Sequence, residues 1–306
     1  MNEPLTQLHA EAMTAEREWT VEEIPVLSAS ISLPEPVPAA DKVSRRIRRY
    51  YQLQCRSFLR YCETYLLPAA AEEYRAALAA SLPLPHFRAE LTYQVTYNDG
   101  GLWSLYTQSR ESGFSGRPTL LRHGDTWDLT SGYPVPLSAF FPRRSGWKRR
   151  LMEAAEAEIQ RQETAGISRY HEGVRRLLRR HFNPQNFYLT AEGLSFFYPM
   201  YAIAPAMEGI PVFTLPYGQG GPALPARDAR RDPPPATSGG GSLSGRGAYL
   251  RRVSPPLAAL ATSPLRASSA SRLGNTISAL NRSERFQTRG ASSTAPRATH
   301  TTAMQA

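Results

Sequence analysis

Apolar and polar positions along the chain change period twice. Ile47, Tyr51, Cys55, Phe58, Cys62 and Leu66 recur at spacings of four, four, three, four and four. That is one face of an α-helix. Asp41 stands where an N-cap belongs, Pro68 kinks or restarts the helix, and residues 69–80 continue it. After the break at Leu82-Pro83-Leu84-Pro85 the period becomes two. Phe87, Ala89, Leu91, Tyr93, Val95 and Tyr97 alternate with polar residues, and Asn98-Asp99-Gly100-Gly101 signals a hairpin into a strand over 102–109. A Gly-rich loop around Gly113 and Gly116 leads to short strands at 119–123, 126–129 and 135–137, with a turn at Thr130-Ser131-Gly132. Ser138 caps a brief turn. Trp147, Leu151, Ala155 and Ile159, four apart, predict a helix over 145–163, and Val174, Leu177, Leu178 and His181 a shorter one. At the start, residues 1–18 read as a flexible leader, and 19–32 as a strand ending in a Pro-rich linker at 33–38.

The densest apolar and aromatic stretch is residues 187–217, whose only charges are Glu192 and Glu208. Strands at 187–190 and 194–198 join through Ala191-Glu192-Gly193, where Gly193 is expected to supply a positive φ. A loop with Pro199, Pro205 and Gly209 leads to a third strand at 211–216. The fold class expected is α+β, a mainly antiparallel sheet with packed helices. From residue 218 the composition turns to Ala, Arg, Ser, Pro, Gly and Thr, and 28 of the 30 aromatic residues lie before 221. Such a segment buries too little apolar area to offset its ordering entropy. The expected organisation is therefore a leader at 1–18, one domain at 19–217 and a disordered, basic, low-complexity tail at 218–306. The abrupt change also fits a frameshifted end, which resequencing the locus decides.

Charge follows the same division. Residues 1–220 carry a net of +1 and residues 221–306 a net of +9. The nucleic-acid reading of a basic chain thus attaches to the tail and not to the domain. Cys55 and Cys62 fall on one helix about 10 Å apart, too far for a disulfide, and read as small core residues. The N-terminus has no apolar stretch of the signal-peptide type, and no run reaches the ~18–20 apolar residues of a membrane helix. As written, the chain is expected in the cytoplasm; a misannotated start lacking an export segment would place it outside.

The familiar catalytic patterns, Gly-x-Ser-x-Gly, His-Glu-x-x-His, Cys-x-x-Cys and the Walker loop, do not occur. Ser115, His123 and Asp125 are close in sequence, but a triad is defined by geometry. His171 with Glu172, and His181, are residue types that ligate metals, yet lone helical histidines are commonly structural, so no metal or cofactor is expected. Asp125 and Asp128, three apart on a strand, point to opposite faces and suit turn roles better than paired catalysis. Arg45, Arg46, Arg48 and Arg49 crowd a helix start, where cations oppose the dipole; a solvated basic face is the simpler account and an acidic-partner site the sharper one. The loop after residue 198 holds Tyr198, Pro199, Tyr201, Ile203, Pro205 and Met207. Prolines restrain it and tyrosine is favoured in contacts. Tyr198, Pro199, Tyr201, Ile203 and Pro205 are the candidate ligand-binding residues, with packing of the loop on the sheet as the competing account.

Asn186 to Thr190, Gly193, Leu194, Pro199, Tyr201, Ile203, Ala204, Pro205, Gly209, Ile210, Pro211, Phe213, Pro216 and Tyr217 together resemble the closing motif of a bacterial domain-of-unknown-function family. Its best-known member domain is the extracytoplasmic sensor portion of the anti-sigma factor RsiV. The stretch DTWDLTSGYPVPLSAFF from Asp125 resembles a second block of that family. The likeness covers roughly residues 19–217. It departs at residues 112–116, where the family often has Gly-Gly-Ala-His, and the chain lacks an anti-sigma factor's membrane anchor and sigma-binding region. The resemblance implies a non-catalytic α+β module that binds a protein such as lysozyme, or a cell-wall component. The alternatives are a cell-wall hydrolase or deacetylase working through His123 and nearby carboxylates, and weak nucleic-acid binding by the tail.

Overall fold

The computed structural model describes residues 6–114, 119–218 and 221–224; Ser115, Gly116 and the tail beyond 224 lie outside the described residues. Strands β1 (Ala10–Val21) and β2 (Ile24–Pro36) form a hairpin. Helix α1 (Lys42–Tyr61), a π turn (Cys62–Leu66) and α2 (Leu67–Ala79) follow. Strands β3 (Phe87–Asp99), β4 (Leu102–Ser112) and β5 (Thr119–Asp128) then make a meander, closed by a two-residue β6 (Tyr133–Pro134). The sheet runs β1-β2-β3-β4-β5-β6. Only β2 and β3 pair in parallel, and α1 and α2 form the long crossover such a pair requires. Helices α3 (Trp147–Thr164) and α4 (Val174–His181) precede a second, antiparallel sheet of β7 (Phe187–Leu189), β8 (Gly193–Phe197) and β9 (Val212–Pro216). This is the α+β class the sequence implied, with antiparallel pairing dominant.

The register sorts the first sheet into two faces. Apart from the bulges at Trp19/Thr20 and Val95/Tyr97, odd-numbered residues pair with odd across β1 to β5, so Leu27, Ala29, Ile31, Leu33, Phe87, Ala89, Leu91, Trp103, Leu105 and Trp127 share one buried face. Helix α1 packs there with Ile47, Tyr51, Cys55 and Phe58, and the π turn with Cys62, the stripe read from the sequence, plus Gln54 and Tyr61 of α1. Asp41 caps α1 as expected, accepting from the amides of Val43 and Ser44. Pro68 acts one turn ahead of itself. Lacking an N–H, it cannot bond back to residue 64, and the backbone widens to a π turn in which the Leu67 amide reaches Cys62 O. The opposite face of β4 and β5 carries β7: the Leu189 amide donates to Ser104 Oγ at 2.9 Å, and the rings of Tyr106 and Tyr188 lie 5.1 Å apart. A second core joins Leu102 to Phe140, Leu151, Leu178, Phe187, Phe196, Tyr198, Ile203 and Phe213.

Four expectations change. Residues 10–18 are strand, not leader, and 19–32 is not one strand, because the chain reverses at Glu22-Glu23, both at positive φ (51° and 65°). Those angles make the two-residue loop that matches strand twist, built without the usual Asn or Gly. The Pro-rich 33–38 is largely strand. Val37 N donates to His9 O, so odd amides of β2 point at β1 and even positions at β3. Pairing with β3 ends at Ile31, so Pro34 and Pro36 lack only amides that no longer have a partner there. Gly193 has no positive φ; a Cβ on it would stand 2.3 Å from Leu215 O, so closeness between strands selects glycine. Finally, 119–128 is one strand, and 135–137 leads into a 3-10 turn at Leu137–Phe140.

Candidate functional site

Where α1 faces β4 and β5, the buried seam is polar at its centre. Tyr51 Oη donates to Asp125 Oδ2 at 3.1 Å, and Trp127 Nε1 donates to Tyr51 Oη at 3.1 Å. Tyr50 Oη reaches Asp125 Oδ1 at 3.4 Å, and His123 Nε2 lies 3.1 Å from the same oxygen. Farther along α1, Gln54 Nε2 donates to Thr107 Oγ1 at 3.0 Å and Tyr61 Oη to Glu111 Oε1 at 2.7 Å. The spacing of Tyr51, Gln54 and Tyr61 keeps them on one helical face, and β5 alternation turns His123, Asp125 and Trp127 toward it. Asp128, near the strand's end, binds the Thr130 amide and Ser131 hydroxyl in a turn.

The side chains of His123 and Asp125 are 12% and 4% exposed. Burial pulls the His123 pKa down, but the Asp125 charge and hydrogen bond outweigh it, so the value ends above the ordinary one. Burial, helped by Asp125, lifts Tyr50 and Tyr51 well above the usual tyrosine range. Burial likewise pushes the Cys62 thiol up to about 12, and Cys55 is raised for the same reason; such thiols are poor nucleophiles. A hydrolytic triad needs one imidazole nitrogen on the carboxylate and the other on a nucleophile. Here Nε2, the outer nitrogen, is the one that meets Asp125 and Tyr50. Ser115 lies outside the described residues.

Because the folded state holds the His123 proton more tightly than the unfolded chain, the pair adds stability that is complete below about pH 6.5 and fades as pH rises through the raised value. Urea melts at several pH values are expected to show this loss in the wild type and a flatter profile in His123→Gln. Equal profiles would mean the pair stores no protonation-linked stability.

The loop after β8 is anchored at its base. The Tyr198 ring is 1% exposed, and its hydroxyl donates to Leu178 O at 3.2 Å. Ile203 and Ala204 are buried. The His171 amide donates to Ile203 O and the Arg169 amide to Glu208 Oε1, each at 2.9 Å, tying the loop to the α3–α4 connection. Of the five candidate contact residues, Tyr198 and Ile203 thus serve the core. Pro199, Tyr201 and Pro205 are half-buried, and Met207 stands 84% exposed at the tip. The basic start of α1 has structural partners: Arg45 bonds Ala40 O, Arg46 bonds Ser131 O and covers the Tyr133 ring, and Arg48 pairs with Glu35. Among the described residues no group of three His, Cys, Asp or Glu gathers as a metal site, and no helix is long and apolar enough to cross a membrane. Tyr50, Gln54 and Trp127 were not singled out from the sequence. Tyr50 and Gln54 are polar tips beside the apolar stripe of α1, and Trp127 is an indole on β5; they meet only across the seam, Tyr50 with Asp125 75 residues away and Gln54 with Thr107 53 residues away.

The fold is similar to that of a DUF3298 family member from Bacteroides fragilis NCTC 9343, with a TM-score of 0.53 at 17% identity over 70% of this chain and 92% of that one. A DUF3298 family protein from Pseudomonas aeruginosa PAO1 matches with a TM-score of 0.43 at 18% identity, over 69% of this chain and 91% of that one. No curated protein matches the chain. Residues 138–218 match the family described as "Protein of unknown function (DUF3298)".

Proposed function

We propose that the chain is a binding module of the RsiV-like kind, without catalysis of its own, that meets a lysozyme-like protein or a cell-wall component through the loop at 199–209. The carrying observation is that loop's build: Tyr198 and Ile203 fix its base in the core, and Met207 is left almost fully exposed at its tip. A loop held in place loses little freedom on binding. Such ligands lie outside the cell, so export of the chain is part of the proposal. The match of residues 138–218 supports the family and leaves the ligand open.

Calorimetry of the full chain against several lysozymes and peptidoglycan fragments tests this. Saturable binding is expected, weakened at least about tenfold by Met207→Asp or Tyr201→Ala, a loss of about 1.4 kcal/mol, with the melting temperature kept. No binding across the panel would overturn the ligand class. The His123–Asp125 pair keeps one other reading in view, a cell-wall hydrolase or deacetylase. Heat of turnover on fragments, lost in His123→Ala, would establish that instead.

A further inference from the structure

The near-neutral charge of residues 1–220 conceals a segregation. Residues 143–181 hold 11 Arg and Lys against 5 Glu, a net of +6, so the rest of that span carries a net of −5. The fold gathers the excess. Arg175 Nε meets Glu156 Oε2 at 3.2 Å, Met152 and Leu178 both take part with the Tyr198 hydroxyl, and the rings of Trp147 and Phe182 lie 6.2 Å apart. These contacts lay α4 back along α3, so that the end of α4 sits beside the start of α3. Three cations are taken up by ion pairs: Arg149 with Glu153, Arg161 with Glu158, and Arg175 with Glu156. Arg143, Arg144, Lys148, Arg176, Arg179 and Arg180 are all exposed and have no acidic partner among the described residues.

Local structure does not account for the cluster. Arg179 and Arg180 suit the C-terminal dipole of α4. Arg176, and Lys148 at the start of α3, oppose theirs, and neither helix has an acid in its first turn or a capping side chain. Arg176 and Arg180, four apart on the solvent side of α4, repel each other.

We infer that this face binds the phosphate backbone of a nucleic acid without reading its sequence. Guanidinium groups match phosphate oxygens in a planar fork, and five of the six cations without an acidic partner are arginines. The nearby rings are already engaged: Trp147 stacks on Phe141 at 5.7 Å and lies under Lys148. No ring is therefore offered to a base, which leaves charge contacts as the binding mode. None of the exposed large apolar side chains lies on α4 or on the start of α3, so the face has no wedge for a lipid surface.

The test is fluorescence anisotropy of the full chain with a labelled DNA duplex of about 30 base pairs, titrated between about 50 and 200 mM salt. Binding is expected to weaken steeply with salt. The triple variant Arg176→Gln, Arg179→Gln, Arg180→Gln should bind about tenfold more weakly at low salt, with the log–log salt slope shallower by about 3. Arg143→Gln, Arg144→Gln, Lys148→Gln should do the same, since both helices feed one surface. Circular dichroism melts check that each variant is folded. A tail variant, Arg230→Gln, Arg231→Gln, Arg246→Gln, should leave most of the affinity. Absence of DNA binding, unchanged slopes in both helix variants, or loss confined to the tail variant would overturn the inference. Polyglutamate competing as well as DNA would also overturn it, in favour of an acidic protein, and anionic vesicles binding in place of DNA would do so in favour of a membrane.

Discussion

Gly124→Ala is expected to be the most destabilising single substitution in the chain, lowering the urea midpoint sharply. Gly124 lies on β5 where β7 crosses the sheet. A Cβ added there would stand 1.9 Å from the Phe187 carbonyl oxygen and 2.7 Å from its carbon. Both atoms are backbone, so no rotamer change relieves the clash. Strand β7 is also fixed from both sides. Phe187 pairs with Phe196 in β8, and the Leu189 amide is held by Ser104 Oγ. Moving β7 away would open the second core at Phe187 and Leu189, both buried there. Overpacking a core costs about 1–3 kcal/mol when side chains can adjust; here a strand must shift, and about 3 kcal/mol or more is expected. Total stability of a domain is about 5–15 kcal/mol, so the loss is visible in any urea melt. A midpoint close to the wild type would show that β7 slides freely over β5.

The second large effect is expected from Asp125→Ala. This carboxylate accepts from Tyr51, Tyr50 and His123 at once, in a seam where water is scarce. Removing it leaves two phenol groups and an imidazole without their acceptor. Each buried unsatisfied group costs about 1–3 kcal/mol, and breaking a buried charged pair by deleting one member costs about 3–5 kcal/mol. A loss of about 3 kcal/mol is expected by urea denaturation. Adding His123→Gln to Asp125→Ala should cost less than the sum of the two single changes, because the pair shares one interaction. Strict additivity, or a loss below about 1 kcal/mol, would show the network to be incidental to stability.

Long, strongly periodic elements are legible in the sequence. The stripe from Ile47 to Leu66 places α1 and its buried face, and Asn98-Asp99-Gly100-Gly101 places the β3–β4 hairpin, with Gly100 and Gly101 both at positive φ. Strand β1 was hidden for two reasons. Its exposed Glu11, Glu16, Arg17 and Glu18 blur the alternation, and its turn is made by two glutamates that carry no turn signal. Gly193 was read for the wrong freedom: crowding against Leu215 O, not φ, demands a missing Cβ. In the candidate loop a tyrosine's letter does not tell a core ring from a contact ring, and Tyr198 is the former. The polar seam was illegible because its members meet only in three dimensions. Tyr51 and Asp125 are 74 residues apart, and each fits its own element's pattern without the other. The charge count for residues 1–220 averaged away the excess on α3 and α4 because a sum along the chain ignores which elements lie side by side.

The parallel joint between β2 and β3 has a consequence for time as well as shape. It spans only five residue pairs, Leu27 with Phe87 through Ile31 with Leu91, and it closes a loop of some 55 residues through α1 and α2. The β3–β4–β5 meander, by contrast, is built from neighbours in sequence. Loop-closure entropy has to be met before a distant pairing gives anything back. The meander therefore has a kinetic advantage, and the β1–β2 hairpin arrives later, carried in with the helical arm that covers it. During synthesis the hairpin leaves the ribosome before β3 and waits for it. Through that interval Leu27, Ile31 and Leu33 have no sheet beside them, and the growing chain is exposed to wrong partners along this hairpin.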